Sequence, residues 1–261
     1  MSEYAVSLEN VSFSYDKSEV LKELTLSIPK NRICFVMGNN GSGKTTLLKN
    51  IMGFLSPQSG KIRISEKDVS VIDRYSMSKM ISYVPQAIHL NTDFSVIDYL
   101  SLGRTPYIGL MASLRDIDYE IIEQYSIRLG IDNILDSTFN KLSGGQKQII
   151  AIARSLIQDT PLIIMDEPMS ALDIGKQVDL LKLLHELTEK EKTIILSTHN
   201  PNHALSTDSD ACFMKHGQII AYGDSKIIIN NELLHDIYGN NIDLDHGKIN
   251  DSVVFNVNSL I

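Results

Sequence analysis

Eight consecutive residues, Gly38-Asn39-Asn40-Gly41-Ser42-Gly43-Lys44-Thr45, constrain the fold of this chain more than any other stretch. Glycines free the backbone of the usual steric limits, so successive N–H groups can close around the oxygens of one anion. An apolar run, Ile33-Cys34-Phe35-Val36-Met37, precedes the loop and reads as a buried strand. Leu47, Leu48, Ile51, Met52 and Leu55 follow it at helical spacing. Strand, glycine loop and helix together bring the favourable end of a helix dipole to whatever the loop encloses.

The rest of the chain extends that α/β pattern. Ala5–Leu8, Val11–Tyr15 and Leu24–Ile28 alternate apolar and polar residues, as strands of an antiparallel sheet with one wet face do. Lys61–Ile64 returns as another such strand after the Ser59-Gly60 turn, and Ile81–Val84 runs into Pro85-Gln86. From about 90 to 158 the period turns helical, with Ile117, Ile121, Ile122, Tyr125 and Leu129 on one face and Gly130 as the stop. Two more buried strands, Leu162–Met165 and Thr193–Ser197, flank an amphipathic helix carrying Val178, Leu181, Leu184 and Leu187. Strand–helix–strand alternation of this kind predicts a parallel sheet covered by helices. The whole reads as one domain over 1–261, with a helical subdomain at about 87–158 and a short polar appendage at about 226–261.

Composition narrows the classes. The 261 residues are long enough to bury a full core, and a net charge of −8 argues against a broad nucleic-acid-binding face. Cys34 and Cys212, the only cysteines, lie in apolar runs and read as buried free thiols. Met1-Ser2-Glu3-Tyr4 has no basic segment followed by an apolar one, so no signal peptide is expected. No apolar stretch approaches the roughly 20 residues that span a bilayer. Membrane work would have to pass through a partner.

Three further motifs carry chemistry. Leu162–Met165 ends in Asp166-Glu167, and alternation along a strand gives the two acids different directions and different jobs. Leu142-Ser143-Gly144-Gly145-Gln146 precedes a second helix (Gln148, Ile149, Ile152, Ala153) and offers another anion-binding N-terminus. His199 follows the strand ending at Ser197. His203, four residues on, suggests a metal pair, but no third ligand is evident.

Gly38–Thr45 fits the phosphate-binding loop of nucleotide triphosphatases. With Leu142–Gln146 following it and preceding the Asp-Glu strand, the chain resembles the ATP-binding-cassette ATPases over roughly residues 5–225. The resemblance implies a P-loop core with a parallel sheet, an N-terminal antiparallel subdomain and an inserted helical subdomain. It implies ATP and Mg²⁺ as cofactors. Gly38, Asn39, Asn40, Gly41, Ser42, Gly43, Lys44, Thr45 and Thr46 would hold the phosphates, with Lys44 at the β- and γ-phosphates. Tyr15 would stack on adenine. Thr45, Gln86 and Asp166 would serve Mg²⁺, Glu167 would polarise the attacking water with Gln86 beside it, and His199 would contact the γ-phosphate. Ser143, Gly144, Gly145 and Gln146 would complete the site of a second subunit in a head-to-tail homodimer, across which Ser170-Ala171-Leu172-Asp173 would pass. Three positions depart from the pattern: Asn39 for proline, Asn200 for aspartate and Met169 for threonine.

Phe94–Tyr107 contains Val96-x-Asp98-x₄-Gly103-Arg104-x-Pro106-Tyr107, which looks like the importer branch serving iron–siderophores, haem and cobalamin, and in some members molybdate or tungstate. That resemblance implies a permease dimer as partner, an external binding protein acting indirectly, and a peripheral seat on the cytoplasmic face of the inner membrane. A metal chelate is the expected cargo and an oxyanion the alternative. Cassette ATPases of DNA repair or translation usually carry long coiled coils or two cassettes; here there is one cassette and no sustained heptad. A kinase using the same loop would leave Leu142–Gln146 unexplained.

Overall fold

A computed structural model describes residues 3–88, 93–108, 113–239, 242–246 and 253–257. Met1, Ser2 and the Asn240-Asn241 pair of the polar appendage lie outside the described residues. The chain divides into two compact units, one formed by Met1–Ile72 with Leu180–Ile261 and the other by Asp73–Asp179.

The first unit opens with β1 (Tyr4–Tyr15) and β2 (Ser18–Pro29), then β3 (Ile33–Met37), α1 (Lys44–Ile51), β4 (Ser59–Ile64) and β5 (Lys67–Asp68). The second unit contains α2 (Arg74–Met80), β6 (Ile81–Val84), α3 (Val96–Ser101), α4 (Asp116–Arg128), α5 (Gly144–Ile157) and β7 (Leu162–Met165). α6 (Ile174–Glu189) carries the boundary within it. The chain then returns through β8 (Thr193–Ser197), α7 (Pro201–Leu205), β9 (Ser209–Lys215), β10 (Gln218–Asp224), α8 (Ser225–Ile228) and α9 (Asn231–Tyr238). A hairpin of β11 (Ile242–His246) and β12 (Val253–Val257) follows.

In the first unit, β2, β1, β4 and β5 form an antiparallel sheet in that order. The segments 5–8 and 11–15 prove to be one strand. Asn10 takes positive φ at a register shift between Leu8 and Val11, and this bulge breaks the alternation without ending the pairing. β3 lies between β8 and β9 and is parallel to both, with all five of its residues buried. Strands covered on both faces read as continuous apolar runs, which is why β3 and β8 are so plain in the sequence. α1 buries Leu47, Leu48 and Ile51, and full burial of such side chains contributes about 1.5–3 kcal/mol each. The loop before α1 is thereby fixed to the end of β3.

In the second unit, β6 and β7 pair in parallel, with Val84 opposite Met165. α5 is fastened to β6 by polar bonds as well as by packing. Ser82 and Ser155 hydroxyls meet at 2.7 Å, Arg154 donates to the Tyr83 carbonyl at 2.7 Å, and Gln158 donates to the Ser78 and Ile81 carbonyls. The helical stretch expected after Gln86 supplies α3, α4 and α5.

Gly103-Arg104 is no surface loop. The pair lies in a 3₁₀ turn, Leu102–Tyr107. A Cβ on Gly103 would stand 2.6 Å from the Arg154 carbonyl. Arg104 is buried, donating to Asp118 at 2.8 Å and to the Ile157 carbonyl at 2.9 Å, under the Tyr107 ring. Hydrogen bonds from Arg115 outweigh burial and hold the Asp118 carboxyl well below its ordinary range. The importer-like hallmark is therefore a packing device that joins α3, α4 and the end of α5.

Cys34 and Cys212 are free and buried on adjacent strands, and burial pushes the Cys212 thiol up to about 12. Both are inert packing residues.

Candidate active site

The phosphate loop grows out of β3. Gly38, Gly41 and Gly43 all take positive φ, at 145°, 79° and 106°. At Gly38 the need is also steric, since a Cβ would sit 2.2 Å from the Met214 carbonyl. α1 begins at Lys44 with Gly43 as its cap and no side-chain hydrogen bond to its first amides. The Ser42 hydroxyl is buried and has no hydrogen-bond partner. A concave loop of positive-φ glycines, uncapped helix amides and an orphaned hydroxyl is a cradle for an anion with several oxygens. Lys44 is buried at its mouth, its amine on the Gly38 and Asn39 carbonyls at 2.8 and 3.2 Å. Thr45 is half-buried and Thr46 buried on the first turn.

His199 is placed by the same sheet. Ser197 stands opposite Val36, and the Thr198 amide donates to the Val36 carbonyl at 3.1 Å. His199 thus leaves β8 level with the point where β3 turns into the loop, and its side chain is exposed. Behind it, His203 is buried, with Nδ1 2.9 Å from the Thr198 hydroxyl and Nε2 3.4 Å from the Asn200 amide. Burial, then the neighbouring His199, pulls its pKa down to about 4. Both ring nitrogens of His203 are occupied within this turn, which is what a neutral structural imidazole does. Tyr15 ends β1 with its ring 44% exposed, held edge-on by Phe13.

In the second unit, the parallel register of β6 and β7 sets Gln86 beside Glu167. Each lies two residues beyond the paired Val84 and Met165, and Gln86 Nε2 donates to Glu167 Oε2 at 3.2 Å. Asp166 is buried, its amide on the Val84 carbonyl at 2.8 Å. Glu167 adopts φ 46°, a left-handed conformation rare for glutamate, and the Ser170 hydroxyl and amide both bond to its carbonyl. Such strained residues gather at functional sites because surrounding structure has to hold them.

Ser143 caps α5 through a reciprocal box. Its hydroxyl accepts from the Gln146 amide at 3.3 Å, and the Gln146 side chain accepts from the Ser143 amide at 3.0 Å. Ser143 and Gly144 are exposed, while a Cβ on Gly145 would come within 3.0 Å of the Ala171 carbonyl.

Residues 21–170 of the chain match the ABC transporter family. The chain belongs to the ABC transporter family. It is an ATPase of that family and binds ATP. A protein of Helicobacter pylori named "Probable iron chelatin transport ATP-binding protein" is 33% identical over 235 residues, covering 88% of this chain and 91% of the relative. The manganese transport system ATP-binding protein MntB of Bacillus subtilis is 32% identical over 248 residues, covering 94% and 97%. Among solved structures, an inward-facing transporter assigned to the metal-chelate type superposes with a TM-score of 0.84 at 28% identity, covering 98% of this chain and 96% of that one.

Within the ABC chain, the first unit carries Tyr15, the phosphate loop and His199, and the second carries Gln86, Asp166, Glu167 and the Ser143–Gln146 signature. Met169, one of the departures, is buried under the Gln177 amide, which bonds the Met169 and Leu172 carbonyls; it packs the turn and removes no reactive group. Sequence reasoning missed the part His203 plays in this turn. Its spacing from His199 was visible, but only the fold brings Thr198 and Asn200 to both of its nitrogens.

Proposed function

We propose that this ABC ATPase energises uptake of a metal chelate through a separate permease, working as a homodimer at the cytoplasmic face of the membrane. The observation that carries the reading is the iron chelatin relative, alike over nine-tenths of its own length, together with the metal-chelate type structure. The manganese relative gives a second reading, import of a metal ion. A cargo-specific binding protein outside the membrane would select the ligand; nucleic acid has no part. No helix among the described residues is long and apolar enough to cross a membrane, which fits a peripheral subunit with a permease partner. We further assign residues 87–158 as the helical subdomain of a single cassette.

The mechanism follows from the residues. Tyr15 presents an exposed face for adenine. Amides of Asn39–Thr46 and the Ser42 hydroxyl bind phosphate oxygens, and the Lys44 amine exchanges loop carbonyls for the β- and γ-phosphates. Asp166, Thr45 and Gln86 offer hard oxygen atoms, the donor type Mg²⁺ takes, and they would hold it. Mg²⁺ when bound polarises phosphoryl oxygens and offsets the charge that develops on them. Glu167, oriented by Gln86, accepts the proton of the attacking water, while His199 donates to the γ-phosphate. The exposed Ser143 and Gly144 address the γ-phosphate on a second subunit, with Gly145 and Gln146 shaping the turn. ATP then holds two subunits together, and hydrolysis releases them.

The test is copurification with the native permease, then ATPase assays with loaded binding proteins. Stimulation by an iron chelate supports the reading. Stimulation by free manganese supports the second, and stimulation by molybdate would return the oxyanion alternative. Glu167→Gln should lower kcat by about 10²–10⁴ and trap an ATP-bound dimer visible by size-exclusion chromatography. Undiminished turnover would remove Glu167 from its role.

A further inference from the structure

Asn39 stands where the family resemblance leads one to expect proline, and its side chain is engaged. Nδ2 donates to the Ile237 carbonyl at 2.5 Å, on the last turn of α9. α9 is anchored by Leu234 and Ile237, both buried, although this stretch reads in the sequence as a polar appendage. It is also tied to β9. Lys215 donates to the Asp236 carboxylate at 2.6 Å and to the Asp236 carbonyl at 2.8 Å.

The same strand end supports the loop directly. The carbonyl of Met214, next to Lys215, fills the space a Cβ on Gly38 would need, and the Gly217 amide donates to the Ser42 carbonyl at 3.1 Å. A small cavity of about 80 Å³ remains, lined by Asn39, Asn40, Ser42, Lys215 and Ile237 among others. Packing alone therefore does not fix the outer turn of the loop, because Asn39, Asn40 and Gly41 are exposed; the Asn39 bond reaches from that turn to α9.

We propose that Asn39 is a positioning residue that ties the outer turn of the phosphate loop to α9, so that nucleotide affinity depends on how α9 is seated. Proline would hold the same turn covalently by fixing φ near −65°. Asparagine replaces that internal restraint with a bond to a separate helix. The inference rests on Gly38–Thr45 being the ATP cradle.

The experiment is a double-mutant cycle on the full-length chain, read as the dissociation constant of a fluorescent ATP analogue, with melting temperature followed in parallel. Lys215→Met loosens α9 without touching the loop bond. In the Asn39 background it should weaken binding about three- to tenfold, the range of one hydrogen bond. Asn39→Ala should do the same, and the pair should lose no more than either alone. In an Asn39→Pro background, Lys215→Met should leave binding unchanged, because the loop no longer draws on α9. Equal losses from Lys215→Met in both backgrounds, or additive losses with Asn39→Ala, would overturn the proposal, since a general packing role gives that result. If Asn39→Pro does not fold, the Asn39→Ala arm of the cycle decides alone. Lys44→Ala, expected to abolish binding, is the control on the cradle. Retained binding there would sink the cradle assignment and this inference with it.

Discussion

Two helix N-termini in this protein are built in opposite ways. α1 starts from Gly43 with no side-chain cap, after a loop whose outer residues Asn39, Asn40 and Gly41 are exposed and whose inner residues Ser42 and Gly43 are buried. α5 starts from Ser143, whose hydroxyl accepts from the Gln146 amide while the Gln146 side chain accepts from the Ser143 amide, and Ser143 and Gly144 are exposed. The first end has no side-chain cap from its own chain. The second is capped by its own residues. The contrast fits the roles proposed for the two ends. A site that binds nucleotide in every cycle can leave donors waiting inside a rigid cradle. A site that acts only when a second subunit arrives has to stay folded and soluble between encounters, and a capping box does that.

The contrast is broken most severely at Gly38. Gly38→Ala sets a Cβ 2.2 Å from the Met214 carbonyl at φ 145°. The loop has to leave its place, and an ångström-scale displacement of this kind costs about a hundredfold or more in activity. Titration with ATP should show the loss as failed binding rather than slow turnover. Gly145→Ala is the matched change on α5. Its Cβ would meet the Ala171 carbonyl at 3.0 Å, a milder overlap on a helical residue, costing about 1–3 kcal/mol. Hydrolysis should fall while binding to the same chain's loop persists. If Gly145→Ala instead abolished ATP binding by the monomer, the division of labour between the two ends would be wrong.

How far the sequence discloses these ends depends on how local their causes are. β3, β7 and β8 were legible to the residue, because buried strands read as nearly continuous apolar runs, and β6 because Pro85 ends it. The phosphate loop and the signature were legible because their chemistry lies in consecutive residues. β1 and β2 were not legible as single strands, since bulges at Asn10 and Glu23 hide their continuity. α9 was hidden for another reason. Only Leu234 and Ile237 are buried in eight residues, and the tie from Asp236 to Lys215 on β9 spans too much sequence to be read locally. Arg104 was visible as a motif but not as a buried ion pair, because its partners Asp118 and Ile157 come from two other helices.

A smaller change sharpens the contrast on the α5 side. Ser143→Ala removes one half of the capping box and should cost about 1 kcal/mol, seen as a fall of about 2–4 °C in melting temperature. ATP affinity of the monomer should stay at the wild-type level, while ATP-driven dimerisation in a Glu167→Gln background is lost. Retained dimerisation would mean that the hydroxyl serves only the helix.

An effect seen only in acid lies at His203, and at neutral pH it vanishes. Its folded pKa is drawn down to about 4 by burial and by His199, below the ordinary value near 6.5. Between these values the unfolded chain binds the proton and the folded chain does not. Stability therefore falls as pH drops from about 6.5 towards 4, and above that window the neutral ring carries no penalty. His203→Gln keeps an amide able to reach Thr198 and removes the titration. The variant should lose less melting temperature than the wild type across that window, with little difference at pH 8. Parallel curves for the two proteins would show that another group carries the acid sensitivity.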